Sequence, residues 1–177
     1  MNKIEVRKAD PSDALDLAKI HVETWQCAYK GQVPADYLAG LSIEKRQKTW
    51  EENLAKSDSK IRTFVAELDS VLAGFCSVGI SRDDDADEET GELMGIYVGP
   101  QFVNKGVGSA LMQKGLDYLR EQGMKKVTLW VLTSNQQARS FYEHKGWIAD
   151  GKTKTEPRDG FSLHETRYEI KLWVYQL

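Results

Sequence analysis

Hydrophobic positions in this chain recur at two periods, and the switches between them sketch most of the elements. Residues 4–8 alternate apolar and charged side chains, the two-residue period of a short strand. After Asp10-Pro11-Ser12-Asp13, residue types that favour a helix start, Leu15, Ala18, Val22 and Trp25 recur at three- and four-residue steps. They predict an amphipathic helix ending near Tyr29-Lys30-Gly31. Residues 34–41 predict a short helix or turn. Ser42 opens a further helix with Ile43, Gln47, Trp50 and Leu54 along one side. Residues 61–67 and 71–80 read as strands joined through Leu68-Asp69-Ser70, a hairpin. Residues 92–98 predict a fourth strand, stopped by Gly99-Pro100, and 106–122 a helix that buries Val107, Leu111, Met112, Tyr118 and Leu119 and closes at Gly123. Residues 126–132 form a continuous apolar strand. Ser134-Asn135 caps a helix to Lys145, with Gly146 at its end. Residues 147–150 start a strand, 151–160 read as a polar linker, and 164–174 alternate more regularly than any other stretch.

The order is strand, helices, three strands, helix, strand, helix, two strands. It predicts an α+β fold with about seven strands in a mostly antiparallel sheet flanked by helices, as one domain over residues 1–177 with no internal repeat. Composition narrows the function classes. Lys and Arg total 24 against 27 Asp and Glu, a net charge of −3, which argues against a general nucleic-acid binder with its basic face. The N-terminal residues lack the apolar core of a signal peptide, and no apolar run is long enough to span a bilayer, so a cytoplasmic protein without a membrane partner is expected. Cys27 and Cys76 are expected to be small buried hydrophobes in a reducing compartment, and the three histidines share no ligand spacing, so no metal is expected.

The segment from Gln101 to Leu111 lies between a strand and a helix and carries Gly106 and Gly108. Two glycines so spaced let the backbone turn tightly and approach a ligand closely. The first N–H groups of the following helix have no internal partner and sit at the positive end of its dipole, so an anion is favoured there. Lys105 and Ser109 add a charge and a hydroxyl. Two other phosphate motifs fail. A Walker loop needs lysine directly after the second glycine, where Ser109 stands, and a dinucleotide fingerprint needs a small residue at position 111, where Leu111 stands.

Three blocks in order carry a resemblance: Glu92-Leu93 with Ile96-Tyr97-Val98; Lys105-Gly106-Val107-Gly108-Ser109-Ala110-Leu111; and Leu132, Asn135, Ala138, Phe141-Tyr142 and Gly146-Trp147. Together they resemble the GCN5-related N-acetyltransferase superfamily. The resemblance implies that the strand at 92–98 splays from the strand at 126–132 and that acetyl-CoA enters the opening. It implies main-chain contacts to the coenzyme from Ile96, Tyr97 and Val98, and a pyrophosphate held by Val103, Asn104, Lys105, Gly106, Val107, Gly108 and Ser109. Asn135 and Ala138 would then lie along the coenzyme arm and Tyr142 beside its sulfur. Val103 departs from the family pattern, which has Gln or Arg there, and Asn104 stands where Gly is frequent. The backbone N–H groups that carry such a cradle are unaffected by either change.

The chemistry so implied is transfer of acetyl to a primary amine by direct attack. An alkylammonium of pKa about 10 is roughly 0.1% neutral at pH 7, so a base or water path helps; Glu92, or Glu89 just before the strand, is the candidate base. A backbone N–H at Ile96 or Tyr97 would stabilise the oxyanion, and Tyr142 would protonate the leaving thiolate. Neither cysteine has a basic sequence neighbour that would make it an acyl carrier. Trp25, Tyr29 and Tyr37, with Trp50, concentrate aromatic surface on the N-terminal helices, where the acceptor is expected. The acidic run 83–89 would draw in a polycation if it bordered that entrance. The acceptor is expected to be a small-molecule amine. A protein or peptide acetyltransferase and a non-catalytic acyl-CoA-binding regulator are the alternatives. The terminal strand and the apolar tail 173–177 suggest a homodimer contact.

Overall fold

The computed structural model describes residues 3–173. Its strands are β1 (Ile4–Lys8), β2 (Ile61–Leu68), β3 (Val71–Ile80), β4 (Thr90–Val98), β5 (Lys126–Leu132), β6 (Ile148–Arg158) and β7 (Phe161–Lys171); its helices are α1 (Ala14–Ala28), α2 (Ala35–Ala39), α3 (Ile43–Leu54), α4 (Val107–Glu121) and α5 (Gln136–His144). The strands form one seven-stranded sheet in the order β1-β2-β3-β4-β5-β7-β6. Every neighbouring pair is antiparallel except β4 and β5.

Local chemistry sets the element ends. Before α1, the Asp10 carboxylate accepts from Ser12 N–H and the Asp13 carboxylate accepts from Asp10 N–H at 2.9 Å, a reciprocal cap; Asp13 is fixed in turn by the Arg7 guanidinium at 2.8 Å. Ser42 and Asn135 cap α3 and α5 by accepting from Lys45 and Ala138 N–H. The buried stripe of α4, Val107, Leu111, Met112, Leu116 and Leu119, follows the three- and four-residue spacing and packs with Cys76, Val78, Leu93, Val127 and Leu129 of the sheet. Truncating fully buried Leu111 to alanine at this interface would cost about 2–5 kcal/mol. On the opposite face Leu17 and Ile20 of α1 meet Val65 and Phe75, with Trp50 and Leu54 of α3 beside them. A third cluster joins Val33 and Leu38 to Leu132 and Leu163, and Trp25, Tyr29, Tyr37 and Phe161 pack against it.

Three expectations from the sequence are corrected. Residues 151–160 are not a linker: most of them belong to β6, which pairs with β7 as a long hairpin turning at Asp159-Gly160. β6 is an edge strand exposed on both faces, so nothing selects apolar residues there, and its Pro157 is tolerated because an edge lacks a second partner. Cys27 is exposed, whereas Cys76 is buried, and burial pushes its thiol up to about 12. The terminal strand is interior: β5 pairs along its residues 165–171, and β6 along 161–166 and 168–169. Of the tail suggested for a dimer contact, Trp173 is exposed and residues 174–177 lie outside the described residues. No helix among the described residues is long and apolar enough to cross a membrane.

Candidate active site

β4 and β5 pair only at Thr90, Gly91 and Glu92, opposite Lys126, Val127 and Thr128. Both strands continue past that point, so β4 from 93 to 98 presents an unpaired edge across a wedge. Parity shows which groups point into it. Gly99 N–H donates to Ala73 O at 2.9 Å, and the register continues as Val98 opposite Gly74 and Tyr97 opposite Phe75. Hydrogen-bonded pairs alternate in an antiparallel ladder, so Tyr97 turns its N–H and C=O to β3, while those of Ile96 and Val98 face the wedge. Of the two donors named from the sequence for an oxyanion, Ile96 therefore has the open N–H. A bulge at Met94, where Ser77 pairs with Gly95 but Val78 pairs with Leu93, bends β4 as the wedge opens.

After β4 a single 3-10 turn at Pro100–Phe102 leads into the glycine loop. Asn104 and Gly106 have positive φ of 60° and 86°, a paired twist that turns the chain into α4. The N–H groups of residues 105–109 find no acceptor among the described residues, and the first bond into the helix is Ala110 N–H to Gly106 O at 3.0 Å. Five such donors at the positive end of a fifteen-residue helix suit a diphosphate. Val103 and Lys105 are exposed at the rim, with Lys105 Nζ 5.9 Å from the Phe102 ring centre. The residues therefore fit the phosphate end of a coenzyme. When bound, acetyl-CoA supplies an electrophilic acetyl carbon and a thiolate leaving group.

Across the wedge, α5 carries Tyr142, buried between Phe141 and Trp147 with ring centres at 5.5 and 6.0 Å. Burial, reinforced by nearby Tyr97 and Cys76, holds its hydroxyl well above the usual tyrosine range, so it stays protonated. Asn135 and Ala138 lie at the start of the same helix. The Asn135 carboxamide oxygen accepts from Ala138 N–H at 3.2 Å, so both are committed to the cap, and the amide nitrogen of Asn135 is the group left to offer a ligand.

Glu92 stands at the closed end of the wedge. Its side chain is buried, one carboxylate oxygen accepts from Arg82 N–H and Nε at 3.1 Å, and the other accepts from Arg82 Nη2 at 2.7 Å. Both oxygens are thus committed, and Glu92 fixes the start of β4. Glu89 is exposed at that end, paired with Lys125 at 2.6 Å. Much of the acidic run is likewise paired: Asp83, Asp85 and Asp150 converge on Arg167 at 3.1, 2.6 and 2.6 Å, Asp83 also accepts from Trp130 Nε1, and Asp87 accepts from the Thr90 hydroxyl. Arg167 holds the Asp85 carboxyl down at about 2.

The face of the sheet opposite α4 bears the aromatic side chains expected for the acceptor. Trp25 meets Tyr29 edge-on at 4.6 Å and Tyr37 meets Phe161 at 4.8 Å, whereas Trp50 lies apart against Phe75. Burial raises the Tyr29 hydroxyl, and the charges of Tyr97, Tyr142 and the Glu165 carboxylate add to the shift. Three residues here escaped the sequence reading. His21 stacks on Tyr97 at 5.0 Å; burial, then Arg46, push its imidazole down to about 3, so it is neutral at pH 7. Arg46 is half-buried beside it without an ion pair among the described residues. Glu165 projects from β7. Arg46 and Glu165 join the site only through contacts distant along the chain, whereas His21 sits one helical turn before Trp25, a spacing that pointed to it.

A family model described as Acetyltransferase (GNAT) family matches residues 17–147. An uncharacterized N-acetyltransferase, YuaI, of Bacillus subtilis (strain 168) is 35% identical over 134 residues, 75% of this chain and 73% of that protein. The spermidine N(1)-acetyltransferase of Thermoplasma acidophilum is 27% identical over 170 residues, 94% of this chain and 98% of that one. A crystal structure of the PaiA N-acetyltransferase from Thermoplasma acidophilum in complex with coenzyme A superposes with a TM-score of 0.75 at 24% identity, covering 96% of this chain and 99% of the other. The β4–β5 wedge, the donor loop at the start of α4 and these likenesses agree: this chain belongs to the GNAT acetyltransferase family and is an acetyltransferase.

Proposed function

We propose that this protein transfers the acetyl group of acetyl-CoA to a primary amine of a small molecule, by direct attack with both substrates bound. The observation that carries the reading is a pair of neighbouring donor sets, the wedge-facing N–H groups of Ile96 and Val98 and the N–H groups of 105–109, free among the described residues, at the start of α4. In this assignment residues Val103 to Ser109 grip the diphosphate, Ile96 and Val98 pair with the amide-bearing arm, and the Ile96 N–H faces the developing oxyanion, a donor typically worth about 3 kcal/mol. Asn135 Nδ2 borders the arm.

Tyr142 holds a proton at its Oη and delivers it toward the leaving sulfur. In the free protein that hydroxyl is a weak acid, which by itself makes full transfer unfavourable. A thiolate released into the same buried slot is also destabilised by burial, so the two acidities move together and the mismatch narrows. The small-molecule assignment draws support from the aromatic wall of Trp25, Tyr29 and Tyr37, a surface suited to an alkyl cation, and from the full-length likeness to a spermidine acetyltransferase. Thiol release from acetyl-CoA tests it against polyamines, amino acids, aminoglycosides and short peptides. Release with a small amine is expected; release with peptides alone, or coenzyme binding without release, overturns it.

A further inference from the structure

β7 places one carboxylate against the aromatic wall. Side chains alternate along a strand, so Glu165 shares a face with Leu163, which packs in the cluster bordered by Trp25, Tyr29 and Tyr37. The Glu165 side chain is 16% exposed, and its Oε2 is shut off from solvent without a hydrogen bond. A buried carboxylate oxygen with open lone pairs is costly, and a site for a cationic ligand accounts for it. The groups facing it come from four elements. Lys154 Nζ of β6 stands 3.5 Å from Oε2, with Glu156 and Arg158 farther along that strand. Beyond burial, the charge on Glu165 raises the hydroxyls of Tyr29 on α1 and Tyr97 on β4, and its partner on β5 is uncharged Leu132. Arg167, two residues along β7, is committed to its three aspartates. Burial outweighs Lys154, so the carboxyl sits above its ordinary value and is suited to accept a proton.

We propose that Glu165 receives the ammonium group of a primary alkylamine acceptor and takes its proton, while Trp25, Tyr29, Tyr37 and Phe161 hold the adjoining alkyl chain. The inference rests on the small-molecule reading above and names its acceptor residue. One N–H bond of the ammonium breaks, the proton passes to Glu165 Oε2 directly or through one water, and nitrogen keeps the electron pair for the acetyl thioester. As the adduct collapses to the amide, a second N–H proton leaves through water and restores the Tyr142 hydroxyl that protonated the thiolate. Glu165 returns the first proton to solvent after turnover. Glu92, by contrast, has both oxygens engaged by Arg82.

Glu165→Gln retains the side-chain shape and removes charge and basicity. Calorimetric titration of the coenzyme A-bound protein with spermidine and with butylamine is expected to show binding to the unaltered chain and affinity about tenfold or more weaker in the variant, with coenzyme A affinity unchanged. Equal affinities, or no binding to the unaltered chain, overturn the proposal. This comparison does not depend on turnover, so absence of thiol release with any small amine counts against the small-molecule reading separately. With an accepted amine, Glu165→Gln is expected to lower kcat by about 100-fold and abolish the acid limb of the pH–rate profile. Lys154→Met, on the exposed edge strand, is expected to move that limb to higher pH by removing the cation that holds the carboxylate down. An acid limb unmoved in both variants refutes the base role.

Discussion

Replacing Gly106 and Gly108 by alanine, one at a time, separates backbone strain from contact in the donor loop. Gly106 has φ +86°, and an added Cβ would meet only the Ile4 Cδ1 atom, at 3.4 Å. The cost there is conformational. A left-handed residue with a Cβ loses about 1–2 kcal/mol, and a stiffer unfolded chain offsets about 0.4–1 kcal/mol of it, leaving about 1 kcal/mol net. For a chain of this size that corresponds to a Tm lower by about 2–4 °C. The strain is relieved if the loop abandons its positive φ, which would turn the N–H groups of 105–109 out of register, so coenzyme A affinity is expected to fall by about tenfold or more. Gly108 lies inside the helix with ordinary φ, and its Cβ would meet Phe141 Cζ at 3.5 Å and Val98 Cγ2 at 3.6 Å, normal contacts. Alanine there gains up to about 1 kcal/mol of helix propensity, so Tm is expected to hold or rise. Thermal unfolding and calorimetry with coenzyme A read both effects. A Gly106→Ala protein with unaltered Tm and affinity would refute the assignment of the loop's function to its left-handed twist.

Tyr142→Phe is expected to lower kcat by about 100-fold while coenzyme A affinity stays unchanged; equal turnover removes Tyr142 from the chemistry. Gly74→Ala, far from any glycine-specific turn, would put a Cβ 2.6 Å from Tyr97 O and 3.2 Å from Val107 and Leu111 side-chain atoms. It is expected to destabilise by about 1–3 kcal/mol or more, measured by urea unfolding, and an unchanged midpoint would contradict the tight β3–β4–α4 packing. His21 is neutral when folded, with its imidazole pushed below 6.5 to about 3, so the unfolded chain takes up its proton first. That contribution to stability is complete above pH 6.5 and is lost as pH falls toward 3. His21→Phe should flatten the decline in Tm between pH 6.5 and 5, and an equal slope in both proteins rules out His21 as its source.

The sequence carried the parts of the site that are local. The run from Gly106 to Leu111 states its own turn, helix start and donor cluster within six residues, and the structure places them as a continuous cradle. The aromatic cluster of Trp25, Tyr29 and Tyr37 was visible as a concentration on the N-terminal helices, although Trp50 proved to belong to a different patch. The acidic run 83–89 looked like an open charge field because its partners, Arg167 and Lys125, lie far along the chain. Glu92 carried the residue type expected of a base, but Arg82, ten positions earlier, folds back onto both of its oxygens.

Periodicity thus determined which segments are helix or strand wherever one face is buried and the other wet, as in α4 and β7, because burial imposes a repeat on side chains. It failed at β6, where both faces of an edge strand are exposed and no repeat is imposed. Only the tertiary structure decided how far β4 and β5 stay paired, which N–H groups face the wedge, and that β7 runs beside the Trp25–Tyr29–Tyr37 cluster, with Glu165 on the same face as Leu163. Those outcomes depend on register between strands distant in sequence, and a single chain of residues does not encode register locally.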